Sequence, residues 1–202
     1  FSSYTLRGTV YHSIFEQFVM NWNSDADLKS HQENLEKMAS DVIKIGTSNT
    51  ILQNFWRKGI NDISLSFIKD EIERQQEATS SAFERSGKLY IRGLNFEISG
   101  KADRIDLNKN GGAIIYDYKS GTLPSLKQQV AYDKQLYLLS LILQNGGFEG
   151  ISSTKVDAAF FVPIKPNLKK IHIPVDLESV EEFEVKLGEL LSAYLMLSTG
   201  FK

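Results

Sequence analysis

Along the first part of the chain, apolar residues recur at helical spacing. Over residues 7–22, Val10, Ile14, Phe18 and Trp22 share one stripe, which predicts an amphipathic helix. Two further helices are predicted over 24–44 and 50–76, separated by Gly46-Thr47-Ser48-Asn49, a break that also supplies a cap. Ile51, Phe55, Trp56, Ile63, Phe67, Ile68 and Ile72 are expected to pack, and the charged run 69–74 to be a solvated face. His31 stands in a polar run and needs no function.

The period then falls to two. Strands are expected over 82–98, with Gly87 and Gly93 marking turns or bulges. Phe96, Ile98, Gly100 and Ala102 alternate with Glu97, Ser99, Lys101 and Asp103, which gives a strand with one face inward. After Asp103 the apolar signal moves to Ile105 and Leu107, and this change of phase predicts a bulge or bend near Asp103 and Arg104. Asn108-Lys109-Asn110-Gly111-Gly112 tolerates positive φ and closes a hairpin. The apolar run at 113–116 suits a strand buried on both faces, and it ends in Asp117-Tyr118-Lys119. Asp117 and Lys119 lie two apart, so the pleat gives them one face, and the hairpin can bring Asp103 near Asp117. A helix over 126–144, strands over 156–162 and 170–175 across a turn at 163–167, and a last helix over 177–197 complete the pattern. His172 alternates with Ile171 and Ile173 and is expected on an exposed strand face, while Lys165, Lys169 and Lys170 cluster near the turn, either solvated there or touching phosphates.

At 202 residues and 42% hydrophobic, the chain can bury the core of one domain, helical over about 1–78 and sheet-based over about 79–202. A formal net charge of −2 argues against binding nucleic acid through bulk positive charge. Without cysteine there is no disulfide, no thiol nucleophile and no thiolate metal site. No apolar run reaches the roughly 20 residues needed to cross a bilayer and no signal peptide is evident, so a cytoplasmic protein is expected. Phe1 stands where a Met would start a chain, and the expectation is a domain excised from a longer protein.

Two carboxylates at one point repel unless a cation lies between them. Hard oxygen ligands without thiols favour Mg²⁺, with Mn²⁺ as the alternative, over zinc. Such an ion lowers the pKa of bound water, and a neighbouring Lys can position that water or stabilise developing charge.

Asp103 followed by Asp117-Tyr118-Lys119 resembles the spaced Asp and D-x-K elements of the PD-(D/E)XK nuclease superfamily. GKADRID, IIYDYKSG, Gln135-Leu136, the RGTVYH run at 7–12 and Asn145-Gly146-Gly147-Phe148 resemble the RecB-type nuclease domain, in particular the C-terminal nuclease domain of AddB in its alphaproteobacterial form. The resemblance implies an α/β restriction-endonuclease-like core, a mixed central sheet flanked by helices, with extra N-terminal helices. It also implies a Mg²⁺-dependent exonuclease acting on single-stranded DNA ends in double-strand break repair, partnered by an AddA-like helicase-nuclease subunit. Asp103, Asp117, Lys119 and Gln135 take the catalytic positions; His12, Asp103, Asp117 and the Tyr118 carbonyl take the metal positions. The family's Tyr four residues after the Gln is Leu139 here, with Tyr137 or Tyr132 as substitutes, and Gln128 with Tyr132 fits the same spacing in a second register. The iron-sulfur cluster of some relatives has no ligands in a chain without Cys. Glu16 and Glu97 each have two readings: an acidic group near the metal, or a solvated helix Glu and a cross-strand charge partner respectively. Two other readings differ in class, a nuclease-like fold kept as a non-catalytic DNA-binding scaffold and a free-standing phage or restriction-type exonuclease.

Overall fold

Three helices open the chain: α1 (Ser3–Met20), α2 (Leu28–Gly46) and α3 (Thr50–Glu77). Asp27 caps α2 by accepting from the Ser30 N–H, and Asn49 caps α3 by accepting from the Ile51 and Leu52 N–H groups. Among the described residues the strands are β1 (Ala78–Ile91), β2 (Phe96–Asn108), β3 (Ala113–Lys119), β4 (Val156–Pro163) and β5 (Ile171–Ile173). They form one mixed sheet in the order β1-β2-β3-β4-β5. Helix α4 (Gln135–Gln144) follows β3, and α5 (Leu177–Thr199) ends the chain. The fold is therefore mixed α/β with N-terminal helices, as expected. This computed structural model describes residues 3–91, 94–121, 134–165, 169–175 and 177–199. Among the described residues, no helix is long and apolar enough to cross a membrane.

The chain divides into two compact units. The first comprises Phe1–Ser80, Tyr118–Leu123 and Phe161–Ile171. Its core is built where α1, α2 and α3 meet: Ile14, Phe15 and Phe18 from α1, Leu35, Ala39 and Ile43 from α2, and Trp56, Ile60 and Ile68 from α3 are all buried. Phe15 and Phe67 approach to 4.2 Å between ring centroids. Burying side chains of this size contributes about 1.5–3 kcal/mol each, enough to hold three helices of ordinary propensity. The third helix departs from its expected pattern. Ile51 is 79% and Phe55 60% exposed, while Glu71 and Arg74, inside the supposedly solvated run, are buried as an ion pair at 3.0 Å. The Arg74 Nε–Glu71 contact pairs the two charges one turn apart, which lets a polar run turn inward.

His31 is also buried, stacked on Trp22 at 3.9 Å and edge-on to Phe18. Burial pushes its imidazole below the ordinary value of 6.5, against the opposing pull of Asp27. The unfolded chain therefore binds this proton more readily than the folded one, and stability is lost as pH falls through the unfolded value. Melting curves between about pH 7 and pH 5 should show that loss, reduced in His31→Phe, which retains a ring for the stack.

The second unit comprises Ser81–Asp117, Pro124–Phe160 and His172–Lys202. Helix α4 packs on β2 and on α5, burying Leu136, Leu139, Ile142 and Leu143, with Tyr137 5.7 Å from Phe183. Along the expected stripe of α5, Val180 is buried but Leu190 and Tyr194 are exposed. The β2–β3 hairpin closes as predicted. The Asn108 side chain accepts from the Asn110 and Gly112 N–H groups, and Gly111 takes φ 82°, a conformation a Cβ would strain.

The expected slip after Asp103 does not occur in the paired stretch. Arg104↔Tyr116, Ile105↔Ile115, Asp106↔Ile114 and Leu107↔Ala113 run in one unbroken register. The sequence pattern misleads because the inward face continues through two charged residues. Arg104 and Asp106, both 0% exposed, bind each other through two contacts of 2.6 and 2.7 Å. Ile105 is buried on the opposite face, so this strand is covered on both sides. The irregular backbone lies in β1 instead, at Glu84, whose φ is 46°. Residues 122–133, which include Gln128, Val130 and Tyr132, fall outside the described residues, and so does Gly93.

Candidate functional site

Antiparallel pairing sets directly opposed residues on one face. The β2–β3 register runs as far as Arg104↔Tyr116, and Asp103 and Asp117 are the next residue on each strand beyond it. Ile105, Ile115 and Lys119 then share that face by the period of the strand. Asp117 is 2% exposed and Asp103 half-buried. A buried carboxylate is costly to keep charged unless charge or hydrogen bonds offset its desolvation. The other face of the hairpin carries the fixed support: the Arg104 guanidinium lies 5.3 Å from the Tyr116 ring and 5.7 Å from the Phe83 ring while bound to Asp106.

A second carboxylate approaches Asp103. Glu84 on β1 has an oxygen within 4.8 Å of one from Asp103, and it forms an ion pair with Lys101. Its positive φ re-aims the side chain, and nothing in the alternation of β1 distinguishes Glu84 from a solvated strand residue. Glu97 lies elsewhere. It is exposed and pairs with Lys88 at 2.8 Å, so its cross-strand reading holds.

In the first unit, α1 is tied to the backbone that follows Asp117. His12 Nε2 lies 2.8 Å from the Tyr118 carbonyl oxygen, a donor contact when the ring is protonated on Nε2. Arg7 donates to the Ser120 carbonyl at 3.2 Å. Gly8 permits this approach, since a Cβ there would stand 3.1 Å from Ser120 Oγ. The Tyr118 ring is buried beside Phe15 and Phe67, and Lys119 Nζ lies 5.2 Å from the Phe161 ring centroid. The Lys119 carbonyl accepts from the Ile164 N–H at 2.9 Å. Glu16 is half-buried on α1. Gln135 is the first residue of α4 and half-buried, whereas Tyr137 is occupied in packing against Phe183.

The chemistry of the hairpin carboxylates suits a hard divalent cation. Asp103 and Asp117 both offer carboxylate oxygens within the second unit. Oxygen-rich sets of this kind fit Mg²⁺ or Mn²⁺.

The family model of the PD-(D/E)XK nuclease superfamily matches residues 2–195. Among curated proteins, an uncharacterized protein of Rickettsia bellii is 24% identical over 207 residues, covering 93% of this chain and 25% of that protein. An uncharacterized protein of Rickettsia felis is 32% identical over 151 residues, covering 70% of this chain and 17% of that protein. One of Rickettsia conorii is 31% identical over 156 residues, covering 72% and 18%. The chain thus spans a quarter or less of the length of these relatives.

Proposed function

The chain belongs to the PD-(D/E)XK nuclease superfamily, and on that premise we propose that it is a Mg²⁺-dependent deoxyribonuclease that hydrolyses phosphodiesters of single-stranded DNA. The observation that carries the proposal is the hairpin register, which runs up to Arg104↔Tyr116 and so leaves Asp103 and Asp117 at the same end of the hairpin, with Lys119 two residues beyond Asp117.

In this reading Asp103 and Asp117 hold the ion, with the Tyr118 carbonyl and His12 as further ligands. The ion, when bound, offsets phosphoryl charge and acidifies a water. Lys119 would orient the attacking water and stabilise the negative charge on the phosphoryl oxygens as the water oxygen bonds to phosphorus and the bond to the sugar oxygen, which leaves as the alcohol, breaks. Gln135, at the first turn of α4, positions the DNA strand. An acidic chain meets its polyanionic substrate through this local arrangement rather than through net charge.

The finer proposal is a RecB-type exonuclease domain within an AddB-like helicase-nuclease subunit, working with an AddA-like partner in double-strand break repair. Two facts support it: the ordered set His12, Asp103, Asp117, Lys119 and Gln135, and relatives at least four times as long as the chain. Incubating the protein with end-labelled single-stranded DNA tests the activity. Degradation should need Mg²⁺ or Mn²⁺, stop on chelation, and release short products from one end. Degradation that persists in EDTA, or none with either ion, would overturn the proposal.

A further inference from the structure

We infer that the first unit carries a binding cleft for single-stranded DNA, lined by Arg7, Phe55, Lys58, Ser120 and Lys165. The inference rests on the nuclease reading for its choice of ligand. The cleft has a volume of about 230 Å³. Three cations line it against one anion, Asp62, in a chain whose net charge is −2, so positive charge is concentrated where the chain as a whole has none to spare. The Tyr11 phenol at its wall adds no charge, because burial pushes it up to about 12 and its hydroxyl donates to the Trp56 carbonyl at 3.0 Å.

Phe55 gives the second part of the argument. It is large, aromatic and 60% exposed on a helix whose other face is packed, and it has the flat surface on which an unpaired base can stack. Alternation of cations and an aromatic platform is the chemistry of sequence-tolerant single-strand binding: the cations meet phosphates and the ring meets a base. A duplex, with its bases already stacked on one another, has no use for Phe55. Position completes the case. Arg7 grips the Ser120 carbonyl at 3.2 Å, and Ile164, beside Lys165, donates to the Lys119 carbonyl at 2.9 Å, so the cleft is anchored to the backbone of the proposed catalytic strand. Ser120, which lines the cleft, directly follows Lys119 in the chain. Asp62 holds Lys58 at 3.1 Å in an exposed pair, worth little energetically and readily exchanged for a phosphate.

The test is fluorescence anisotropy of an end-labelled oligothymidylate, in EDTA, titrated with wild type, Phe55→Ala, Lys165→Ala and Asp62→Asn. Phe55→Ala should weaken binding about tenfold with its salt dependence unchanged. Lys165→Ala should weaken it several-fold and lower the slope of log affinity against log salt by about 0.7, the share of one phosphate contact. Asp62→Asn should tighten binding. Melting temperatures equal to wild type establish that the exposed substitutions leave the fold intact. Equal affinity of wild type, Phe55→Ala and Lys165→Ala, or no binding by wild type, overturns the inference; the first of these is also the result expected if another protein segment occupies the cleft. Since no hydrolysis occurs in EDTA, failure of the cleft leaves the nuclease reading standing, and failure of Mg²⁺-dependent cleavage leaves this binding test decisive.

Discussion

Replacing Asp117 with Asn should lower Mg²⁺-dependent hydrolysis of single-stranded DNA by at least about a thousandfold while leaving the protein folded. Asn keeps the shape and removes the charge. At a position 2% exposed at the end of an apolar strand, shape is what packing needs and charge is what a divalent cation needs. In the proposed mechanism several kcal/mol of transition-state stabilisation would depend on an ion held there, and about 4 kcal/mol corresponds to a thousandfold in rate. A steady-state assay of the variant beside its melting curve separates the two effects. Near-normal hydrolysis by Asp117→Asn would remove Asp117 from the chemistry, and a collapsed melting curve would make its role structural.

The largest expected effect on stability lies on the opposite face of the same hairpin. Asp106→Ala leaves the Arg104 guanidinium, 0% exposed and bound to Asp106 at 2.6 and 2.7 Å, with a buried charge whose main partner is gone. Breaking a buried pair from one side costs about 3–5 kcal/mol. For a chain of this length that corresponds to a fall in melting temperature of roughly 10 °C. Replacing both partners by apolar residues, Arg104→Met with Asp106→Leu, should recover most of the loss, because the desolvation cost leaves with the charges. If Asp106→Ala melts like wild type, the pair does not support the hairpin.

That pair also explains where sequence reading reached its limit. Helices α1 to α3, the turn at Gly111 and the strand ending in Asp117-Tyr118-Lys119 follow from period and turn chemistry, which act locally. Nothing in the pattern marked Arg104 and Asp106 as buried, since a single strand carries no sign that two of its charges will satisfy each other inside. Glu71 and Arg74 misled in the same way within α3. Phe55 erred in the opposite direction: its spacing places it in a core, and its 60% exposure depends on which face of α3 the other helices cover. Of the candidate site, the strand positions of Asp103, Asp117 and Lys119 were legible, because strand period relates them directly. Glu84 was not, because its approach to Asp103 depends on a positive φ in β1 that a Glu rarely adopts.

Binding of Mn²⁺ tests the central claim most directly, because it asks whether the hairpin carboxylates hold a cation before any question of substrate arises. Titration followed by electron paramagnetic resonance should show the wild type taking up the ion. Asp103→Asn and Asp117→Asn should each bind it at least tenfold more weakly. Uptake by both variants equal to that of the wild type would contradict the account.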